Sequence, residues 1–370
     1  MNFKEYFNQI IETISRFCNE FLARITKSWK LTATIAGVLV LGSVGFLVYA
    51  LQDTKPRPVN VDPVVETPTS TVNMLERALD GVLVNASSTH LLPIGVMVEN
   101  SADAWPLQGP AKADLVFEAP VEGSITRYFL VFDASSTVAE IGPVRSARPY
   151  FVDFADGLHA LYAHVGGSPD ALTKINGISG FRDLNEFFNG WAFWRAPKRT
   201  APHNVYTNIE NLNQAAGRKE FAPAPFNAWT YTDATSTAED ATFIKVPYLG
   251  YYEAEWRYSA ETDDYAQERD GGSVRDADGT PVRVKNVVMI LTEEQVLDDI
   301  GRLKIRTTGR GKAWVFNGGA KREAEWVRSA GGHLSFRGID GTDVLFRRGK
   351  SWVSVITDAG DWEKILPKAN

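Results

Sequence analysis

An α+β or α/β N-terminal globular domain followed by a mostly β C-terminal domain, the two preceded by one transmembrane helix, is the fold class that this sequence predicts. Three observations predict it. Leu31 to Leu51 is apolar and uncharged, which at about 1.5 Å per residue is long enough to span a hydrocarbon core. Between residues 90 and 220, strand-like and helix-like segments alternate. Beyond residue 226, short strand-like runs are separated by Gly-Gly, Asn-Gly and Asp-Gly turns.

The segments follow in order. Residues 1–30 are read as a cytoplasmic amphipathic segment, with Phe3, Tyr6, Ile10 and Ile14 at helical spacing. Arg24, Lys27 and Lys30 ahead of the 31–51 transmembrane helix favour a cytoplasmic N-terminus, although Lys55 and Arg57 reduce the asymmetry. The long preceding flank favours an uncleaved anchor over a signal peptide. Residues 52–89 form a proline- and threonine-rich linker with a short helix at Asn73–Val84.

The α/β domain at 90–225 is expected to hold strands at Ile94–Glu99 and Asp114–Ala119. A hairpin of Thr126–Asp133 with Val138–Ile141 turns at Ala134–Ser136. A helix at Ala147–Leu158, a strand at Ala160–Val165 and a helix at Ser168–Ile175 follow. The β-rich domain at 226–370 is expected to carry strands at Thr242–Val246, Ala254–Ser259, Asn286–Leu291, Leu303–Thr307, Lys312–Phe316, Arg322–Val327, Leu334–Arg337, Asp343–Phe346 and Trp352–Ile356.

Composition narrows the function classes. The chain has 370 residues, 44% hydrophobic and 23% charged, with a net charge of −6. That balance is ordinary for a globular protein and disfavours a general nucleic-acid binder, so no nucleic-acid partner is expected. The single cysteine, Cys18, precedes the apolar run. No intrachain disulfide can form, and the exterior domains must rest on their cores.

The first candidate site is Gly142-Pro-Val-Arg-Ser-Ala-Arg148. Arg145 and Arg148 follow a strand-like run, with Ser146 between them. Guanidinium forks match phosphate and carboxylate oxygens two at a time. His164-Val-Gly-Gly-Ser168 supplies a second element. There Gly166 and Gly167 end a strand, and Ser168 caps a helix whose N–H groups suit an anion. A proline-bounded loop holds Arg195, Lys198, Arg199, His203 and Asn204, with His203 a possible general acid or base. Arg145, Ser146, Arg148, His164, Gly166, Gly167, Ser168, Arg195, Arg199, His203 and Asn204 make up the expected ligand-binding set.

Asp114, Val116 and Glu118 share one strand face. Asp114 and Glu118 are the speculative metal ligands, holding a divalent cation that bridges to phosphate. The bland alternative is that these acids, with Glu99 and Glu122, neutralise Arg127, Arg145 and Arg148. No P-loop, Gly-x-Ser-x-Gly elbow or zinc-ligand spacing occurs. No cofactor is required by the sequence.

Several of these runs together resemble the bacterial YerB-like lipoprotein family. They are Leu92–Asn100, Ala113–Ala119, Glu122–Arg127, Gly142–Tyr150, His164–Pro169 and Ala201–Thr207, with weaker support from Gly309–Trp314 and Gly349–Trp352. The resemblance implies a two-part cell-surface domain of unknown function, with N-terminal α/β and C-terminal β-rich parts. Members are commonly lipid-anchored at an exported cysteine, and this chain departs from that pattern.

The expectation is therefore a single-pass membrane protein of the cell envelope with extracytoplasmic domains. Its N-terminal domain would bind an anionic ligand, such as a cell-wall or phosphorylated compound, or a protein partner. One alternative is a phosphotransferase- or hydrolase-like enzyme on polyprenyl-phosphate-linked glycans, since the order of elements is similar to that of LytR-CpsA-Psr enzymes. Arg145 is here followed by Ser146, so the Arg-Asp pair of those enzymes is absent. A structural tether is the other alternative.

Overall fold

A computed structural model describes residues 74–234 and 241–357. The expected amphipathic segment, membrane span and most of the linker lie outside the described residues. Among the described residues, no helix is long and apolar enough to cross a membrane. The chain divides into two units, Met1–Ser70 and Thr71–Asn370, and all the described residues belong to the second.

Ten strands form the central sheet: β1 (Pro93–Glu99), β2 (Leu115–Pro120), β3 (Thr126–Asp133), β4 (Leu161–His164), β5 (Asp183–Asn185), β6 (Asn286–Leu291), β7 (Gly309–Asn317), β8 (Ala320–Arg328), β9 (Ser335–Gly338) and β10 (Ser351–Ile356). Their spatial order is β9-β8-β7-β6-β10-β2-β3-β1-β4-β5. The N-terminal part is mixed and the C-terminal part is sheet-rich, yet both contribute to this one sheet. The join is β10, parallel to β6 on one side and to β2 on the other. Both parts lie within one compact unit, Thr71–Asn370.

Each face of the sheet is covered. Val116 and Glu118 point to one side of β2, and Leu115, Phe117 and Ala119 to the other, as the pleat requires. Helices α1 (Pro149–Gly157) and α2 (Pro169–Gly177) pack on the Phe117 side through Phe151, Phe154, Ala171 and Ile175. The Val116 side receives α4 (Ile209–Arg218) and a smaller five-stranded sheet drawn from residues 243–284. Burial on both faces explains why β1 and β3 are buried along their whole length. A four-residue helix, α3 (Glu186–Asn189), follows β5.

Two local expectations are corrected. Asn73–Val84 is not a helix: Met74–Glu76 and Leu83–Asn85 pair as an antiparallel hairpin. Gly81 takes φ +71°, and the Asp80 carboxylate accepts the Val82 N–H at 3.2 Å, which closes a turn in place of a helical repeat. Val138–Ile141 is not a strand of the sheet. Ile141 makes only an isolated bridge with Thr207, and the buried side chains of Val138 and Ile141 account for the apolar pattern. Gly142 then crosses at φ +153°, where a Cβ would meet the Tyr206 ring at 2.7 Å.

Candidate functional site

The arginine motif leaves the core at Val144 and runs beside the turn after β4. Arg145 N donates to Met97 O of β1, and Val165 N donates to Arg145 O. Ala147 N donates to Gly166 O, and Ser168 N to Ala147 O. These bonds fix Arg145 and Arg148 near the ends of β1, β3 and β4. Helix α1 starts directly after Arg148, with Pro149 in its first turn.

Three guanidinium groups gather here. Arg148 contacts Glu122 twice, Nε to Oε1 at 2.7 Å and Nη2 to Oε2 at 2.6 Å. Partial burial alone would raise the Glu122 carboxyl, but Arg148's hydrogen bonds and charge outweigh it and hold the group below its ordinary value. Arg145 lies 3.4 Å from Glu99 Oε1 and donates from Nη1 to Pro202 O at 3.0 Å. Both side chains retain some exposure, 23% for Arg145 and 13% for Arg148.

The third is Arg127, at the start of β3. It is buried and donates from Nη1 to Ser146 O at 2.9 Å. Among the described residues no carboxylate is close enough to form an ion pair with it. Burial, then the charges of Arg148 and Arg145, pull its guanidinium down to about 10. The bland expectation therefore holds for two pairs, Glu99 with Arg145 and Glu122 with Arg148, and fails for Arg127. Neither paired arginine is the freely open cation that an accessible hollow calls for.

His203 joins the same cluster. Its Nδ1 lies 2.8 Å from Glu99 Oε2, while Ser101 Oγ donates to Glu99 Oε1 at 2.8 Å. The ring is thereby held by Glu99 at Nδ1, and Nε2 has no hydrogen-bond partner among the described residues.

The remaining expected residues have structural partners. His164 is buried, with Nδ1 2.6 Å from Gly166 O and Nε2 2.7 Å from Asp183 Oδ1, so it braces the Gly166–Gly167 turn. Gly166 N donates to Asn185 Oδ1. Ser168 caps α2 by accepting from Ala171 N at 3.3 Å. Arg199 reaches away from the cluster, donating to Ala104 O and Pro106 O at 2.6 Å each. Arg195 donates to Asn204 Oδ1 at 3.0 Å and to Glu186 Oε1 at 3.2 Å. Ser146 lends its carbonyl to Arg127, and its hydroxyl has no hydrogen-bond partner among the described residues.

Asp114 and Glu118 share a face but belong to separate networks. Asp114 accepts Asp133 N–H at 2.8 Å and lies 3.6 Å from Arg77; burial, partly offset by these two, raises it to about 6. Glu118 is wholly buried, accepting from Thr126 Oγ1 at 2.7 Å and from Trp352 Nε1 at 2.9 Å. Burial raises it to about 7 against the opposing pull of Arg269. Among the described residues neither is hydrogen-bonded or ion-paired to Arg145 or Arg148, and no three His, Cys, Asp or Glu side chains converge on a metal position.

Sequence reasoning did not single out a cleft of about 810 Å³ between α1, α2 and the hairpin Glu294–Val296/Leu303–Ile305. Tyr150, Asp153, Lys174, Arg306 and Thr307 line it. Four of its charged groups are matched within it: Asp153 pairs with Lys174 and Glu293 with Arg306. Its lining comes from positions more than a hundred residues apart, so no local motif announces it.

The fold and the arginine cluster define a two-part protein, mixed in its N-terminal part and sheet-rich in its C-terminal part, built on one sheet. Residues 79–222 match the family model described as "Protein of unknown function (DUF3048) N-terminal domain", and residues 244–353 match its C-terminal domain. The chain is 32% identical over 300 residues to "Putative lipoprotein YerB" of Bacillus subtilis (strain 168), covering 78% of this chain and 88% of that protein. The crystal structure of YerB protein from Bacillus subtilis superposes with a TM-score of 0.70 at 29% identity, covering 77% of this chain and 97% of that one. The chain belongs to the YerB-like DUF3048 family.

Proposed function

We propose that this chain is a membrane-anchored cell-envelope protein that holds the anionic group of a ligand or envelope partner on Arg127, Arg145 and Arg148. The observation that carries the reading is a charge imbalance: among the described residues, three guanidinium groups are served by two carboxylates, and the buried Arg127 has only a carbonyl acceptor. A phosphate or carboxylate group would supply the missing negative charge to donors arranged for two-point contact. His203 Nε2 would lie at the edge of the bound group.

Attachment to the membrane is supported by the uncharged run Leu31–Leu51 and by the lipoprotein name of the Bacillus relative. Cys18 precedes that run, so the anchor is the apolar segment as a single pass, with the N-terminus cytoplasmic and the folded unit outside.

The test is a melting titration of the full-length protein in detergent with inorganic phosphate and pyrophosphate at constant ionic strength. Stabilisation should grow with anion concentration and vanish in Arg145→Ala and Arg148→Ala. A wild-type midpoint that does not move, or an unchanged response in both variants, rejects the reading.

A further inference from the structure

Phe187 and Phe188, within α3, are 67% and 81% exposed, and Trp191 is 43% exposed. Scattered exposed apolar residues need no explanation, but three bulky rings within one turn and a half do. The turn is firmly built. Asn185 Oδ1 accepts from Phe187 N at 3.2 Å, Asn189 Nδ2 donates to Asn185 O at 2.8 Å, and the Arg218 guanidinium stacks over Trp191 at 3.9 Å. The Phe187 ring lies against Gly166, where an added Cβ would come within 2.9 Å. Gly166 is bonded to Ala147, so the aromatic turn adjoins the Arg145–Arg148 segment.

The stretch of sequence that carries the turn is basic, even with Glu220 counted just beyond it. Residues 182–219 contain Arg182, Arg195, Lys198, Arg199, Arg218 and Lys219 against Asp183, Glu186 and Glu210, in a chain whose net charge is −6. Arg195 and Lys198 are exposed. Rings that sit at the headgroup level, flanked by cations, are the pattern by which surfaces engage a charged bilayer.

We infer that this aromatic turn docks on an anionic lipid surface. Phe187 and Phe188 enter the boundary between headgroups and acyl chains, and Arg195 and Lys198 meet lipid phosphates. Phenylalanine offers sugar hydroxyls no polar handle, and two neighbouring protruding rings make a wedge more than a flat platform, so lipid fits the pair better than a glycan. The inference rests on the proposed membrane attachment.

The experiment is hydrogen exchange on the full-length protein in nanodiscs of phosphatidylcholine, with and without phosphatidylglycerol. Amides of residues 186–199 should exchange severalfold more slowly in the anionic discs. Phe188→Ser should return them to the neutral-disc rate, and Lys198→Glu should lose roughly fivefold of the effect, as should added salt. Unchanged exchange in β1 and β3 verifies that both variants are folded. Equal rates in the two kinds of disc overturn the docking alone. Slowing that requires added soluble wall glycan would assign the surface to carbohydrate and overturn it also. A chain that does not enter the discs overturns the membrane attachment together with the docking.

Discussion

Arg148 and Glu122 meet at two points, 2.7 and 2.6 Å apart, and so clip the start of α1 to the turn that follows β2. The Glu122 carboxylate occupies the place where a ligand anion would seek Arg148. Glu122→Gln is expected to tighten phosphate binding about three- to tenfold and to lower stability by about 1 kcal/mol. Phosphate titration and urea melts of the same samples read both changes, and weaker binding would contradict the competition.

Arg127→Met separates binding from stability. The native side chain is a buried cation with one carbonyl acceptor. A thioether of similar length removes the desolvation cost, so unfolding free energy should stay within about 1 kcal/mol of wild type or increase. Stabilisation by phosphate should fall at least severalfold. A loss of several kcal/mol without any change in the phosphate response would show that Arg127 serves the fold alone.

Glu118 imposes a pH dependence whose sign is fixed. Its ordinary value is 4.5, and in the folded chain it is pushed up to about 7. The native state therefore binds this proton more tightly than the unfolded chain. The contribution of Glu118 to stability is most favourable below pH 4.5, declines as pH rises toward 7, and then levels at a loss on the order of 3 kcal/mol. Asp114 and Asp276, raised to about 6 chiefly by burial, act in the same direction. His333, pulled by burial down to about 3, acts oppositely, losing stability as pH falls below 6.5. Chemical denaturation of wild type and Glu118→Gln across this range isolates the one group: their difference should shift toward the variant as pH rises, and a constant difference refutes the assignment.

Gly95 lies in β1 opposite Val131 and beside Tyr162 of β4. A Cβ there would sit 2.3 Å from the Phe129 ring and 3.0 Å from the Leu161 carbonyl. Gly95→Ala should destabilise by about 1–3 kcal/mol through overpacking, although alanine suits a strand better than glycine. A neutral effect in thermal melts would mean that Phe129 has room to turn.

Local chemistry carried much of the fold into the sequence. The alternation in β2 assigned Leu115, Phe117 and Ala119 to one side and Val116 with Glu118 to the other, and Ser168 with Pro169 marked the start of α2. The strands Ala254–Ser259 and Asn286–Leu291 have the limits expected from the sequence. Helix α4 was hidden because few of its residues, among them Ile209, Leu212 and Ala215, are apolar. The strand Asp264–Arg269 was hidden because Gln267 and Arg269 point inward where a core pattern demands apolar groups. In the site, Arg145 and Arg148 were visible as a motif. Arg127 was not, since it acquires its role only when β3 is laid beside a loop some twenty residues onward, and Glu99 meets His203 across 104 positions of sequence.

The placement of β10 governs when the molecule can take shape. It reaches the sheet later in the chain than any of the other nine strands, yet it fills the gap between β2 and β6. While the polypeptide is being made, its first five sheet strands have one flank of β2 unpaired, and β6 to β9, paired with one another, have nothing that joins them to those five. The two groups of strands can therefore close into one sheet only after residue 356 has emerged.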